Sequence, residues 1–151
     1  MGRGGRKVRA AAAVAAGTLP FALGVGTASA DGFYGQQFSR EHFFTAGNGE
    51  QVGCTFSGES SLTRPTSDGT FDADALTRAS GLHPACGDTF VQVEVTYVDG
   101  NGRRQNTGAD SIEGDVRWFG NDVLDDFQVV HRVSFNDCIS NCAASFTTSP
   151  K

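Results

Sequence analysis

The chain has 151 residues, with 12 basic and 17 acidic side chains and a formal net charge of −5. All 17 acids but only eight of the basic residues follow Ala30, so the stretch 31–151 carries −9. That balance excludes the usual nucleic-acid and anionic-membrane partners, which need clustered Lys and Arg; the one adjacent basic pair, Arg103-Arg104, sits beside glycines.

In chain order, Arg3, Arg6, Lys7 and Arg9 precede a small, apolar run from Ala10 to about Val25, and Ala28-Ser29-Ala30 follows. This is the order of a secretory signal peptide: basic end, short apolar region, small residues at the cleavage site. Pro20 and the interspersed glycines keep the run short of the roughly 20 continuous apolar residues of a membrane span. We therefore expect residues 1–30 to be a cleaved signal peptide. Residues 31–151 then form one domain by length, secreted to the extracellular space, with no membrane insertion after cleavage.

Beyond Ala30 the dominant pattern is alternation with period two, and Phe and Val far outnumber Leu and Ile, as suits pleated surfaces. "FYGQQFSREHFF" holds five aromatics, Phe33, Tyr34, Phe38, Phe43 and Phe44. Phe38 and Phe44 read as core anchors of a strand over 38–45, with Phe43 available for recognition, since aromatics are enriched in binding surfaces. Strands are expected next at 51–57 and through Phe71, Ala73 and Ala75. "FVQVEVTYV" then sets Val91, Val93, Val95 and Tyr97 on one face and runs into "DGNG", a hairpin signal. Further strands are expected at 112–119, which carries the single tryptophan, Trp118, at 127–135 and at 143–148. "AGNGE" (46–50), "RPTSDG" (64–69), "GLHPACGD" (81–88) and "GNDVLDD" (120–126) read as the turns between them. About seven short strands so punctuated predict an all-β fold, a small antiparallel β-sandwich of immunoglobulin-like architecture. Trp118 follows Cys86 by 32 residues instead of following the first cysteine closely, so only the architecture is implied, not that family.

Four cysteines, Cys54, Cys86, Cys138 and Cys142, all lie in the exported part, and an even number there reads as two disulfides. Metal-site spacing is approached only by Cys138 and Cys142. Three pairings are open. Chain entropy favours the crossed pairing 54–138 with 86–142, about 4.6 and 4.2 kcal/mol against about 3.7 and 1.9 for 54–86 with 138–142. Proximity decides for the local pairing, 54–86 with 138–142, because Ile-Ser-Asn can turn the chain between Cys138 and Cys142 and asparagine tolerates such a turn.

His131 stands in "FQVVHRVSF" on the same face as Phe127, Val129, Val133 and Phe135. A histidine so placed is either a base or ligand with a displaced pKa or a buried residue hydrogen-bonded to its surroundings; with valines two residues away on either side, the second reading is favoured. The serine-hydrolase pentapeptide G-x-S-x-G is absent. Glu113, Asp115, Asp125 and Asp126 offer carboxylates for glycoside chemistry, but at apparent strand ends and loops. Asn121, Asp122, Asp125 and Asp126 offer oxygens for calcium without matching an EF-hand. No metal site, cofactor or enzymatic activity is therefore expected.

In outline the chain is similar to two secreted families of small two-disulfide β proteins, the apoproteins that carry enediyne chromophores and the subtilisin inhibitors. The apoproteins share only the close pair Cys138 and Cys142, and the cysteine spacing and reactive loop of the subtilisin inhibitors do not map onto this chain, so no site residue is carried over. The expectation from sequence is a monomeric, secreted, non-enzymatic protein that binds a small molecule or a cell-envelope component, with His131, Trp118 and Phe43 as candidate binding residues. The rival is an interaction effector or protease inhibitor, which would present a disulfide-braced loop, 81–88 or 138–142, to an extracellular protein.

Overall fold

The computed structural model describes residues 27–28, 33–64 and 67–151. Apart from Thr27 and Ala28, the expected signal peptide lies outside them. Alternation in sequence becomes strand after strand: β1 (Thr27–Ala28), β2 (Phe33–Thr45), β3 (Gln51–Thr63), β4 (Phe71–Ser80), β5 (Thr89–Asp99), β6 (Arg104–Ser111), β7 (Asp115–Phe135) and β8 (Ala143–Thr148). Every pairing is antiparallel, in the order β1-β2-β3-β4-β7-β5-β6, with β8 also on β7. Val91, Val93 and Val95 of β5 are fully buried, as are Val129 and His131 of β7, with Phe127, Val133 and Phe135 nearly so. The faces predicted by alternation are therefore the core faces.

β7 organises the two layers. Val123 pairs with Phe71 of β4 on one edge and Asp99 of β5 on the other, while Val129 pairs with Thr148 of β8 and Val95 of β5. β4 and β8 thus share one edge of the same strand, and β7 must leave one layer for the other between them. It does so through register shifts opposite Phe71/Ala73 and Thr96/Val98/Asp99, and through left-handed backbone at Asp122 and Asp126, with φ of 61° and 55°. Bulges are how strands turn sandwich corners, and aspartate is among the few side chains that tolerate that conformation. This corrects the sequence expectation of a turn at 120–126: the segment is strand, and 115–119 of the strand expected at 112–119 joins 127–135 in one 21-residue element, while 112–114 form the turn before it.

Aromatic contacts close the sandwich. Phe38 of β2 stacks on Phe146 of β8 at 4.2 Å and Phe44 on Phe135 of β7 at 4.3 Å between ring centres. The "DGNG" turn is built as expected: Asp99 accepts hydrogen bonds from the Arg103 and Asn101 amides and the Gln105 amide group. These bonds, that of Arg103 foremost, hold its carboxyl below the usual carboxylate range.

Both disulfides take the local pairing. Cys54–Cys86 ties β3 to the 3-10 turn Pro84–Cys86, with both residues buried. Cys138–Cys142 closes a ring whose Asn141 is left-handed at φ 60°. The ring docks on the end of β2, where Ile139 N donates to Thr45 O and Thr45 N to Ser140 O. Loop length predicts unequal contributions: Cys54→Ala with Cys86→Ala loses about 3.7 kcal/mol of stability and Cys138→Ala with Cys142→Ala about 1.9. Urea unfolding of the two double variants checks this, and equal losses would overturn the loop-length account.

Candidate functional site

His131 is wholly buried and belongs to a hydrogen-bonded chain that touches five strands. Thr77 Oγ1 donates to the carbonyl of Gln92 at 3.2 Å, so its lone pair receives the His131 Nδ1 proton at 2.8 Å. The neutral ring then presents Nε2 as an acceptor to the Thr148 hydroxyl at 2.9 Å, and Thr148 accepts in turn from Ser60 at 2.6 Å. Both ring nitrogens are satisfied. Phe38 meets the ring edge-on at 5.2 Å. A Cβ on Gly58 would stand 2.5 Å from Nδ1, so the glycine makes room for the imidazole. Burial, which disfavours the charged form, pushes the His131 pKa down to about 4, against a smaller opposing contribution from the Leu76 backbone.

The other candidates lie elsewhere. Trp118 is half-buried at the layer edge, packed with Tyr97 and Phe127, and its indole occupies the space a side chain on Gly120 would need. Phe43 points outward, 56% exposed, its ring folded over Gly53, an aromatic covering a strand glycine. His131, Trp118 and Phe43 therefore do not share a site: one is in the core, one at its rim and one on the surface. Asp125 and Asp126 pair with Lys151 and Arg104, and among the described residues no cluster of three or more His, Cys, Asp or Glu is placed to hold a metal.

What the sheet does bring together is the outward face of β2, β3, β4 and the first part of β7. Its register lines up Gly35, Ser61, Asp74 and Phe119 in one row across the strands, and Gln37, Glu59, Leu76 and Arg117 in the next. Ser39, Ser57, Arg78 and Asp115 form a third row. Glycine and serine at most of the β2 and β3 positions leave a floor of small residues, with the longer side chains of Gln37, Glu59, Arg78 and Arg117 around it. Two adjoining cavities of about 510 and 550 Å³ result, and both are lined by Gln37 and Glu59. They make one trough.

Its electrostatics are settled within the wall. Arg117 forms a forked ion pair with Asp74; hydrogen bonding to Asp74 first, and then the charges of Asp74 and Glu59, hold the guanidinium more firmly cationic than usual. Arg78 faces Asp115 at 3.6 Å. Apart from Asp115, weighed as a carboxylate for glycoside chemistry, none of these residues was singled out from sequence. The available sign was Gly or Ser at every fourth position, 35 and 39 in β2 and 53, 57 and 61 in β3, which acquires meaning only once the strands are in register. The fold and this face define a disulfide-braced antiparallel β-sandwich with a polar trough on one sheet. No protein-family model, curated protein or solved structure matches the chain.

The buried histidine has a pH consequence. Below about pH 6.5 the unfolded chain takes up a proton that folded His131 refuses until about pH 4. Stability is therefore complete above that window and falls as pH falls through it, by about 3 kcal/mol at the lower end. Urea unfolding across the window checks this, and the fall should become much shallower in His131→Gln.

Proposed function

We propose that this is an exported, non-enzymatic binding protein that takes a small molecule or a cell-envelope component into the outward trough. The observation that carries the reading is the continuity of the two cavities across four rigid strands, each of a volume ordinary for a small-ligand site. Sites on regular strands are held more accurately than sites on loops, which suits recognition. The sealing of His131 supports the non-enzymatic side: the residue whose basicity is most displaced faces hydroxyls in the core, out of reach of a substrate. Two disulfides, and the lack of any helix among the described residues long and apolar enough to cross a membrane, are compatible with an extracellular setting.

A second reading rests on the loops. Leu82 is fully exposed beside the Cys54–Cys86 bridge, and Ile139 is 66% exposed within the Cys138–Cys142 ring. Apolar side chains held out on braced loops suit an inhibitor or effector that docks on another protein.

Ser57→Trp separates the two readings by filling the trough floor, and as an outward substitution it should change stability by no more than about 0.5 kcal/mol. Native mass spectrometry of the secreted chain after exposure to the producing organism's culture fluid is expected to show a small-mass adduct that Ser57→Trp abolishes. A stoichiometric protein complex that survives Ser57→Trp and is lost on Leu82→Ser or Ile139→Ser would overturn the trough reading in favour of the loops.

A further inference from the structure

Resting on the trough reading, we propose that the ligand is an uncharged oligosaccharide, lying across β2, β3 and β4 with a sugar ring against Phe33.

Charge comes first. The lining contains four ionisable groups, Glu59, Asp74, Arg78 and Arg117, whose charges cancel. Arg117 is already committed to Asp74. A phosphate or carboxylate ligand needs uncompensated cations, and here it would meet Glu59 on a chain that is acidic overall. A cationic ligand would meet Arg78 and Arg117 as well as Glu59, and gains no overall attraction from a lining without net charge. An uncharged ligand incurs neither penalty.

The uncharged lining points the same way. Gln37, Ser39, Ser57 and Ser61 supply an amide and three hydroxyls, groups that both donate and accept. Glu59 adds a strong acceptor and the arginines strong donors. A sugar hydroxyl likewise donates one bond and accepts others, so a mixed wall of this kind can satisfy a row of them in several orientations. An apolar ligand would leave these groups without partners and lose their hydration.

The third observation is the aromatic boundary. Phe33 lines the trough, is 42% exposed, and lies so close over Gly35 that a Cβ there would be 3.1 Å from its ring. The glycine thus lets the ring rest on the trough floor and present a face. Phe119, 68% exposed, adjoins Asp74 in the strand register and lies 4.8 Å from the Arg117 guanidinium. Pyranose rings have one face rich in C–H groups, and such a face gains contact and loses little water when laid on a phenyl ring. The floor itself runs from Gly35 to Ser39, roughly 13 Å at strand rise, and across four strands, roughly 14 Å at strand spacing. It is longer than one monosaccharide.

Affinity gel electrophoresis of protein produced from the full chain tests the proposal. The neutral probes are soluble xylan, a β-1,3-glucan, a mannan and a hydroxyethyl cellulose; polygalacturonate and chitosan are the anionic and cationic probes. The expected result is retardation by at least one neutral polysaccharide that persists in about 0.5 M salt, where exposed charge attraction is screened, and weakens by about tenfold or more in both Ser57→Trp and Phe33→Ala. Circular dichroism and urea unfolding of both variants confirm that they fold. Retardation by polygalacturonate or chitosan alone would overturn the uncharged class, yet leave the trough reading standing if Ser57→Trp removes it. Neutral retardation untouched by Ser57→Trp and by Ser61→Trp would overturn both. No retardation by any probe would overturn the carbohydrate inference, while the small-mass adduct would still test the trough by itself.

Discussion

Ser60, Thr148, His131, Thr77 and the Gln92 carbonyl come from five different strands, and one unbroken run of hydrogen bonds joins them inside the core. Buried polar groups are tolerated only when every member is satisfied, so the relative placement of β3, β4, β5, β7 and β8 is constrained to within hydrogen-bonding error. A slip of one residue in any of these strands would turn its member of the chain outward and bury an orphan. The neutral imidazole suits this position because it offers one donor and one acceptor on opposite sides of a flat ring. The apolar packing around it, Phe38 on one side and the valines of β5 and β7, would accept several registers; the polar chain accepts one.

That constraint has a geometric partner in β7. A single strand can serve both layers only if it bends, and the bend needs residues that tolerate left-handed backbone. Asp122 and Asp126 provide it. Because β7 crosses from one layer to the other, its first part sets Arg117 beside Leu76 on the outer face and its last part sets His131 against Thr77 in the core. The interior keystone and the outer trough are therefore parts of one arrangement. The trough has a rigid floor because the strands beneath it are locked from the inside.

Charge is distributed unevenly over this molecule. The chain is acidic as a whole, yet in the trough lining Glu59 and Asp74 offset Arg78 and Arg117, and cross-strand pairs join Arg117 to Asp74 and Arg78 to Asp115 beside it. Exposed pairs of this kind contribute little to stability. Their effect is to remove net charge from a face that would otherwise share the negative potential of its surroundings. At the ends of the same sheet, phenylalanines lie over glycines instead of packing inward, so the face combines neutral polarity with limited apolar surface. The disulfides act away from it, bracing the 81–88 loop and the ring that docks on β2.

Much of the fold was readable in the chain itself. The alternation of residues 90–98 and 127–135 marked their buried faces, "DGNG" marked the hairpin, and Asn141 between close cysteines marked a local ring, because side-chain period and turn chemistry are properties of neighbouring residues. His131 was readable as structural from its valine neighbours, although its partners Thr77, Thr148 and Ser60 were not. The segment 120–126 misled because aspartate, asparagine and glycine favour turns; here the same tolerance of left-handed backbone lets a long strand change layers. Only the tertiary structure decided where β7 bends and that Gly35, Ser57, Ser61, Glu59 and Arg117 share one surface. Those are matters of register between residues far apart in sequence, set by what the core can bury and satisfy.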